Sequence, residues 1–212
     1  MLGFSPFFMS MYTKISRQSS VLRRSQIIDA AINLITEKGM EFVTIDAIAD
    51  EVGLTEGAIY RHFTSKKQIL TSVIEEIESN LLQTIHTAKQ RGSSPIESLE
   101  FILEAHLSDV ESRRAASFII ISEAMGFDGI GLSPRVSLML TNYLRFLEQC
   151  ISEGITGGTI RPEVDINAAA TAFLGLIQST ATMWALNDHS TKLAARREQM
   201  WDIYKRGICN GH

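Results

Sequence analysis

The sequence predicts an all-α protein. Helical spacing of apolar residues dominates the chain. Strand signals are nearly absent: no Asn-Gly or Asp-Gly pair joins two alternating runs. Helix start and stop residues recur at intervals that divide the chain into about nine helices.

Taken in order, Met1 to Met11 are apolar but broken by Pro6 and lack a basic start, so residues 1–20 read as a flexible leader rather than a signal peptide. Met9 and Met11 are further possible starts. Ile27, Ile28, Ala31, Leu34 and Ile35 form one apolar stripe, with Gly39 as its C-cap. Thr44 caps a short helix reaching Val52, Gly53 makes a turn, and Thr55 caps a helix ending near Phe63. Ser65 to Gln68 has capping-box form and opens a long helix toward Lys89. After Arg91-Gly92-Ser93, Ser94-Pro95-Ile96-Glu97 combines a cap, a proline at the first helical position and a Glu three residues on. That helix runs to about Asp109, and another from Arg113 to Met125. Ser133-Pro134 opens a helix to Ile151, Asp165 starts one to Leu186, and a last one spans Thr191 to Arg206.

At 212 residues and 45% hydrophobic composition the chain can bury a sizeable core. The expected division is residues 1–20 as leader, 21–68 as a first domain and 69–212 as a second. Cys150 and Cys209 are too few for a disulfide framework or metal site and read as reduced thiols of a cytoplasmic protein. The net charge of −4 is uneven: residues 14–67 carry +1 and the rest −5. Nucleic-acid binding needs only a local basic edge, which this balance permits.

Residues 44–63 carry the chemistry. Two short helices meet at a glycine, with apolar Ile48, Val52, Leu54 and Ile59 and a small Ala49 at the crossing. That is the pattern of a helix-turn-helix, whose second helix enters the DNA major groove. At about 100° per residue, Ile59 and Phe63 mark the core side of that helix and Arg61 points roughly opposite, beside Gly57 and Ala58. Tyr60 and His62 lie on the two flanks, where a groove presents its phosphate walls. An aromatic and a histidine in a short helix are commonly packing residues, but here both lie off the core face.

The string Thr44-x3-Ile48-Ala49-x3-Gly53-x3-Gly57-x2-Tyr60-x-His62-Phe63-x2-Lys66-x3-Leu70 resembles the DNA-binding signature of the TetR family of transcriptional regulators. The likeness spans Arg23 to Leu70. It implies an N-terminal three-helix helix-turn-helix domain followed by a C-terminal helical ligand-binding and dimerisation domain. It further implies that Thr44, Tyr60, His62 and Lys66 hold phosphates, and that Thr55, Glu56, Gly57, Ala58 and Arg61 lie nearest the bases. Contacts of the first kind fix position and those of the second decide sequence. Arg23 and Arg24 are placed near the DNA backbone. Glu56 departs from the Lys, Arg or Gln common at its position, and has two readings: acceptor from cytosine N4, or a charge suited to a helix N-terminus.

Asn167 to Asn187 contains no charged residue, long enough to span a bilayer, but its hydroxyls and amides and its lack of basic flanks favour a buried helix and no membrane contact. Ala168, Ala172, Gly175 and Ser179 form a stripe of small residues; Phe173, Ile177, Thr180 and Trp184 form another. The last helix offers Met200, Trp201 and Tyr204. The resemblance assigns these two helices to a homodimer interface of Ala168, Ala172, Gly175, Ser179, Trp184, Met200, Trp201 and Tyr204. Phe101, His106, Phe118, Met125, Phe127, Met139, Tyr143 and Phe146 can line a pocket for a small apolar or amphipathic effector, with His106 or Tyr143 as polar anchor. Taken singly, each has core packing as its simpler role.

No phosphate loop, His-Glu-x-x-His, Cys-x-x-Cys or nucleophile elbow occurs, so no enzyme activity, catalytic residue, cofactor or metal is expected. The expected partners are double-stranded operator DNA, a second copy of the chain and a small-molecule effector. The expected role is a repressor released from a palindromic operator. The competing reading is an effector-independent DNA-binding protein of the same fold, acting on the nucleoid or in cell division.

Overall fold

The computed structural model describes residues 6–91, 94–126, 129–187 and 192–209. Among them are nine α-helices and no strand. The chain forms two units, divided between Val73 and Ile74, five residues beyond the boundary read from the sequence.

The first unit holds α1 (Pro6–Glu37), a 3-10 turn (Met40–Phe42), α2 (Ile45–Glu51), α3 (Glu56–Tyr60) and the start of α4 (Lys66–Gln90). Helix α1 starts at Pro6 and so passes through most of the stretch expected as a leader. Ile27, Ala31, Leu34 and Ile35 are buried, as one face of a 3.6-residue period requires. Ile48 and Ala49 of α2, Ile59 of α3, then Phe63, Ile69 and Leu70 are buried as well, and α2 packs on both α1 and α3. Burying each large side chain contributes about 1.5–3 kcal/mol, enough to hold helices too short to persist alone.

The second unit contains the rest of α4, then α5 (Pro95–Ser112), α6 (Ala116–Gly126), α7 (Ser133–Thr156), α8 (Ile166–Leu186), a 3-10 turn (Leu193–Arg196) and α9 (Arg197–Ile208). Helix α7 packs along α8 and α5, while α5 also meets α9. One core joins Leu99 and Leu103, Tyr143, Leu147 and Ile151, Phe173 and Ile177, and Trp201 and Tyr204. Helix α8 is long and apolar enough to cross a membrane, yet its Ala169, Ala170, Phe173, Ile177 and Ala181 are buried against the other helices.

Caps were the most legible feature. Ser94 and Glu97 form the reciprocal capping box, and Asp165 accepts from the Ala168 N–H at 2.7 Å. Several helix ends moved, among them that of α7. Helix α7 continues past Ile151 to Thr156, and Gly154 within that extension leaves room for Ile160; a Cβ there would lie 2.6 Å from Ile160 Cδ1. Ser133-Pro134 opens α7 as read from the sequence, and the Ser133 hydroxyl donates to the Ala124 carbonyl at 2.6 Å, tying the α6–α7 connection together. Thr191, Phe127 and the Gly92-Ser93 break lie outside the described residues. The α5–α6 turn uses two left-handed non-glycine residues, Arg114 (φ 48) and Ala115 (φ 62). It is held by the Ala115 N–H, which donates to the Val110 carbonyl at 2.9 Å.

Candidate nucleic-acid interface

The helix-turn-helix is built by two threonine caps and one glycine. Thr44 Oγ1 accepts from the Ala47 N–H at 3.0 Å and Thr55 Oγ1 from the Ala58 N–H at 3.3 Å. Each such cap is worth about 1 kcal/mol. Between them Gly53 takes φ 65, and the Leu54 N–H closes on the Ala49 carbonyl at 2.8 Å. No neighbouring atom would block a Cβ at Gly53, so the requirement there is conformational rather than one of space.

With α3 so fixed, Ile59 and Phe63 are buried while Glu56, Gly57 and Arg61 are exposed. Tyr60 is 51% exposed, a large fraction for an aromatic side chain. Ala58 and His62 are half-buried. The wheel thus sorts core from surface as expected. Helix α3 itself closes at Tyr60, and Arg61 follows in helical conformation as its C-cap. At the head of α4, Ser65 Oγ accepts from the Gln68 N–H at 3.2 Å, but Gln68 Oε1 reaches one residue further back, to the Thr64 N–H at 2.6 Å. Lys66 is half-buried in that first turn and Thr44 is exposed. The nine residues expected to meet DNA therefore all lie between the cap of α2 and the first turn of α4, none fully buried.

Arg24 departs from expectation. Its guanidinium donates to the His62 carbonyl and lies 4.0 Å from the centre of the Phe63 ring, so it is engaged within the fold rather than held out toward phosphate. Sequence reading missed this because the partner is a main-chain oxygen 38 residues away.

In the second unit, the eight residues expected at a dimer interface separate. Ala168, Ala172, Gly175 and Ser179 are exposed, and line a groove of about 640 Å³ between α8 and α9 with Ile203 on its far side. Trp184, Met200, Trp201 and Tyr204 are buried in the chain's own core. Tyr204 donates to the Ala169 carbonyl at 3.0 Å and packs edge-on to Phe173 at 5.2 Å. The exposed apolar residues here are Met183, Leu186 and Ile203. Ile203 was readable as an isolated apolar position on a polar helix face.

The expected effector residues also separate. His106, Met139 and Tyr143 are buried, Phe101, Phe118 and Phe146 half-buried, and Met125 is 75% exposed. His106 and Tyr143 share a hydrogen bond of 2.9 Å. Burial drives the His106 pKa down to about 4 and pushes Tyr143 up. The Arg91 guanidinium lies 4.1 Å from the Phe101 ring centre and the Lys89 ammonium 4.7 Å from that of Phe146. His106 and Asp109, three apart on α5, serve different partners: Asp109 accepts from Arg113 at 2.9 Å.

A helix-turn-helix unit followed in one chain by an all-helical unit defines a DNA-binding transcriptional regulator. Residues 27–73 match the family described as bacterial regulatory proteins, tetR family, and residues 67–207 match the YsiA-like protein, C-terminal region. The chain belongs to the TetR family. It is 27% identical over 185 residues to the fatty acid metabolism regulator protein of Bacillus subtilis (strain 168), covering 87% of this chain and 95% of that protein. The crystal structure of the transcriptional regulator FadR from Bacillus subtilis in complex with stearoyl-CoA superposes with a TM-score of 0.77 at 27% identity, covering 87% of this chain and 98% of the other. The nucleoid occlusion factor SlmA of Marinomonas sp. (strain MWYL1) is 24% identical over 186 residues, covering 88% of this chain and 94% of that protein.

Proposed function

We propose that the chain is a cytoplasmic repressor that sits as a homodimer on a palindromic operator and leaves it when a long-chain acyl thioester of coenzyme A binds the C-terminal unit. The observation that carries the DNA reading is the exposed Tyr60–Arg61 edge of a doubly capped helix-turn-helix. Tyr60, His62, Lys66 and Thr44 take phosphates; Thr55, Glu56, Gly57, Ala58 and Arg61 face bases.

The second copy packs on the exposed stripe of α8 with Ile203, a surface whose small residues admit a close helix approach. The effector class draws on the Bacillus subtilis relative's complex with stearoyl-CoA. It also suits half-buried Phe101 and Phe146, each carrying a cation over its ring. Apolar surface with a cationic lip matches an acyl chain with an anionic head.

The test is selection of bound fragments from genomic DNA by the purified protein, followed by titration of the enriched duplex with stearoyl-CoA, coenzyme A and stearate. Release by stearoyl-CoA at concentrations where coenzyme A does nothing is expected. Enrichment of no fragment would remove the DNA reading; release by none of the three would remove the effector. The kinship with SlmA favours a second reading, effector-independent binding, which predicts enrichment with indifference to all three.

A further inference from the structure

We propose that Arg24 is a positioning residue for operator reading, locking the end of α3 so that its exposed edge meets bases in register. This rests on the assignment of α3 as the DNA-reading helix.

Helix α3 has five residues, and its exit is held by few bonds: the Ile59 carbonyl accepts from the His62 N–H at 2.9 Å and the Phe63 N–H at 3.1 Å. The last carbonyls of a helix lack intrahelical partners and favour a cationic donor. Arg24 supplies such a donor just beyond the helix, donating from α1 to the His62 carbonyl two residues past Tyr60, while its plane covers Phe63 at 4.0 Å. Phe63 is fully buried and its ring anchors the turn into α4. One guanidinium therefore grips two successive residues through two kinds of interaction, a donor to the main chain and a cation on a ring face. Its own base is fixed, because Ile27, one turn along α1, is completely buried. Tyr60 and Arg61 lie immediately before the gripped pair and His62 is its first member, so rotation of this exit would move all three against the groove. Lysine is a poor substitute: an ammonium lacks the planar fork that can lie on a ring and reach a carbonyl together.

The experiment compares wild type, Arg24→Met and Arg24→Lys, all full length, on the enriched operator and a scrambled duplex at several salt concentrations, with melting midpoints recorded. Arg24→Met should lose roughly ten-fold or more on the operator, the size of one charged hydrogen bond, and less than about two-fold on the scrambled duplex. Its salt-dependence slope should equal that of wild type, since no phosphate contact is removed. Arg24→Lys should be intermediate on the operator and unchanged on the scrambled duplex. Equal losses on both duplexes with the slope lower by about one would overturn the proposal in favour of a phosphate contact. A lowered melting midpoint with both affinities intact, or full discrimination by Arg24→Lys, would overturn it too. Wild type that fails to distinguish the two duplexes would instead defeat the DNA reading on which the proposal stands.

Discussion

His106 Nδ1 lies 2.9 Å from the Tyr143 hydroxyl, and the two rings meet edge to face with centroids 5.3 Å apart. The pair joins α5 to α7 in the core of the second unit. Each side chain answers the hydrogen-bonding demand of the other where water does not reach. Removing one leaves a buried polar group unpaired, so Tyr143→Phe should cost about 1–3 kcal/mol in urea unfolding.

The same burial makes stability depend on pH. His106 titrates at about 4 in the fold, against 6.5 ordinarily. Between those values the unfolded chain takes a proton that the folded chain refuses. The fold should therefore be fully stable above about pH 6.5 and lose stability as pH falls toward 4, by about 2 kcal/mol near pH 5 from this group. Urea midpoints at neutral pH and near pH 5 should diverge in wild type and converge in His106→Asn. Equal divergence in both proteins would exclude His106 as the source.

On DNA, Lys66→Ala should weaken specific and scrambled duplexes alike and lower the salt slope by about one. Arg61→Ala should act on the operator alone, costing about 1–3 kcal/mol if it holds a guanine. Glu56→Gln should alter preference at one base pair if the carboxylate accepts from cytosine, and change little if it only suits the helix start. Sequence-independent losses of equal size for Arg61 and Lys66 would mean that the groove-facing side is misassigned.

Gly175 is exposed and nothing in the protomer lies within 4 Å of a Cβ built on it. Gly175→Arg should leave the protomer folded while sedimentation shows a 23.6 kDa species in place of a dimer. Trp201, stacked on Tyr204 at 6.1 Å and buried, should behave oppositely: Trp201→Ala should cost about 3–5 kcal/mol of stability. If both substitutions merely unfold the chain, the α8 surface is not an interface.

If Lys89 and Arg91 face an anionic head, replacing either with Glu should raise the stearoyl-CoA concentration needed for release about ten-fold. Operator affinity without effector should not change. An unaltered release curve would place the head elsewhere.

The DNA-binding unit was legible because local rules suffice there. Thr44 and Thr55 cap the helices they precede, and Gly53 takes the conformation that its turn demands. The second unit was less legible. No direction around α8 is marked by a charge, so a helical wheel cannot tell which side the chain claims for itself. Folding gives Phe173, Ile177 and Trp184 to the core and leaves Ala168, Ala172 and Gly175 outside. Tryptophan and tyrosine on α9 suggested an interface, yet bulky aromatics fill a protomer's core as readily. Arg24 carried no signal at all, because a carbonyl partner imposes no residue type.

The end of α9 is sewn to the connection between α7 and α8. Ile160 and Cys209 form an isolated antiparallel bridge, the Arg161 N–H donates to the Ile208 carbonyl at 2.9 Å, and the Arg161 guanidinium donates to the Gly207 carbonyl. This seam matters to anyone fusing a reporter to the protein. A tag replacing residues from Ile208 onward would unpick it, free the last turn of α9 and loosen Tyr204 from Ala169. A tag added after the full sequence, through a flexible spacer, would leave the seam closed.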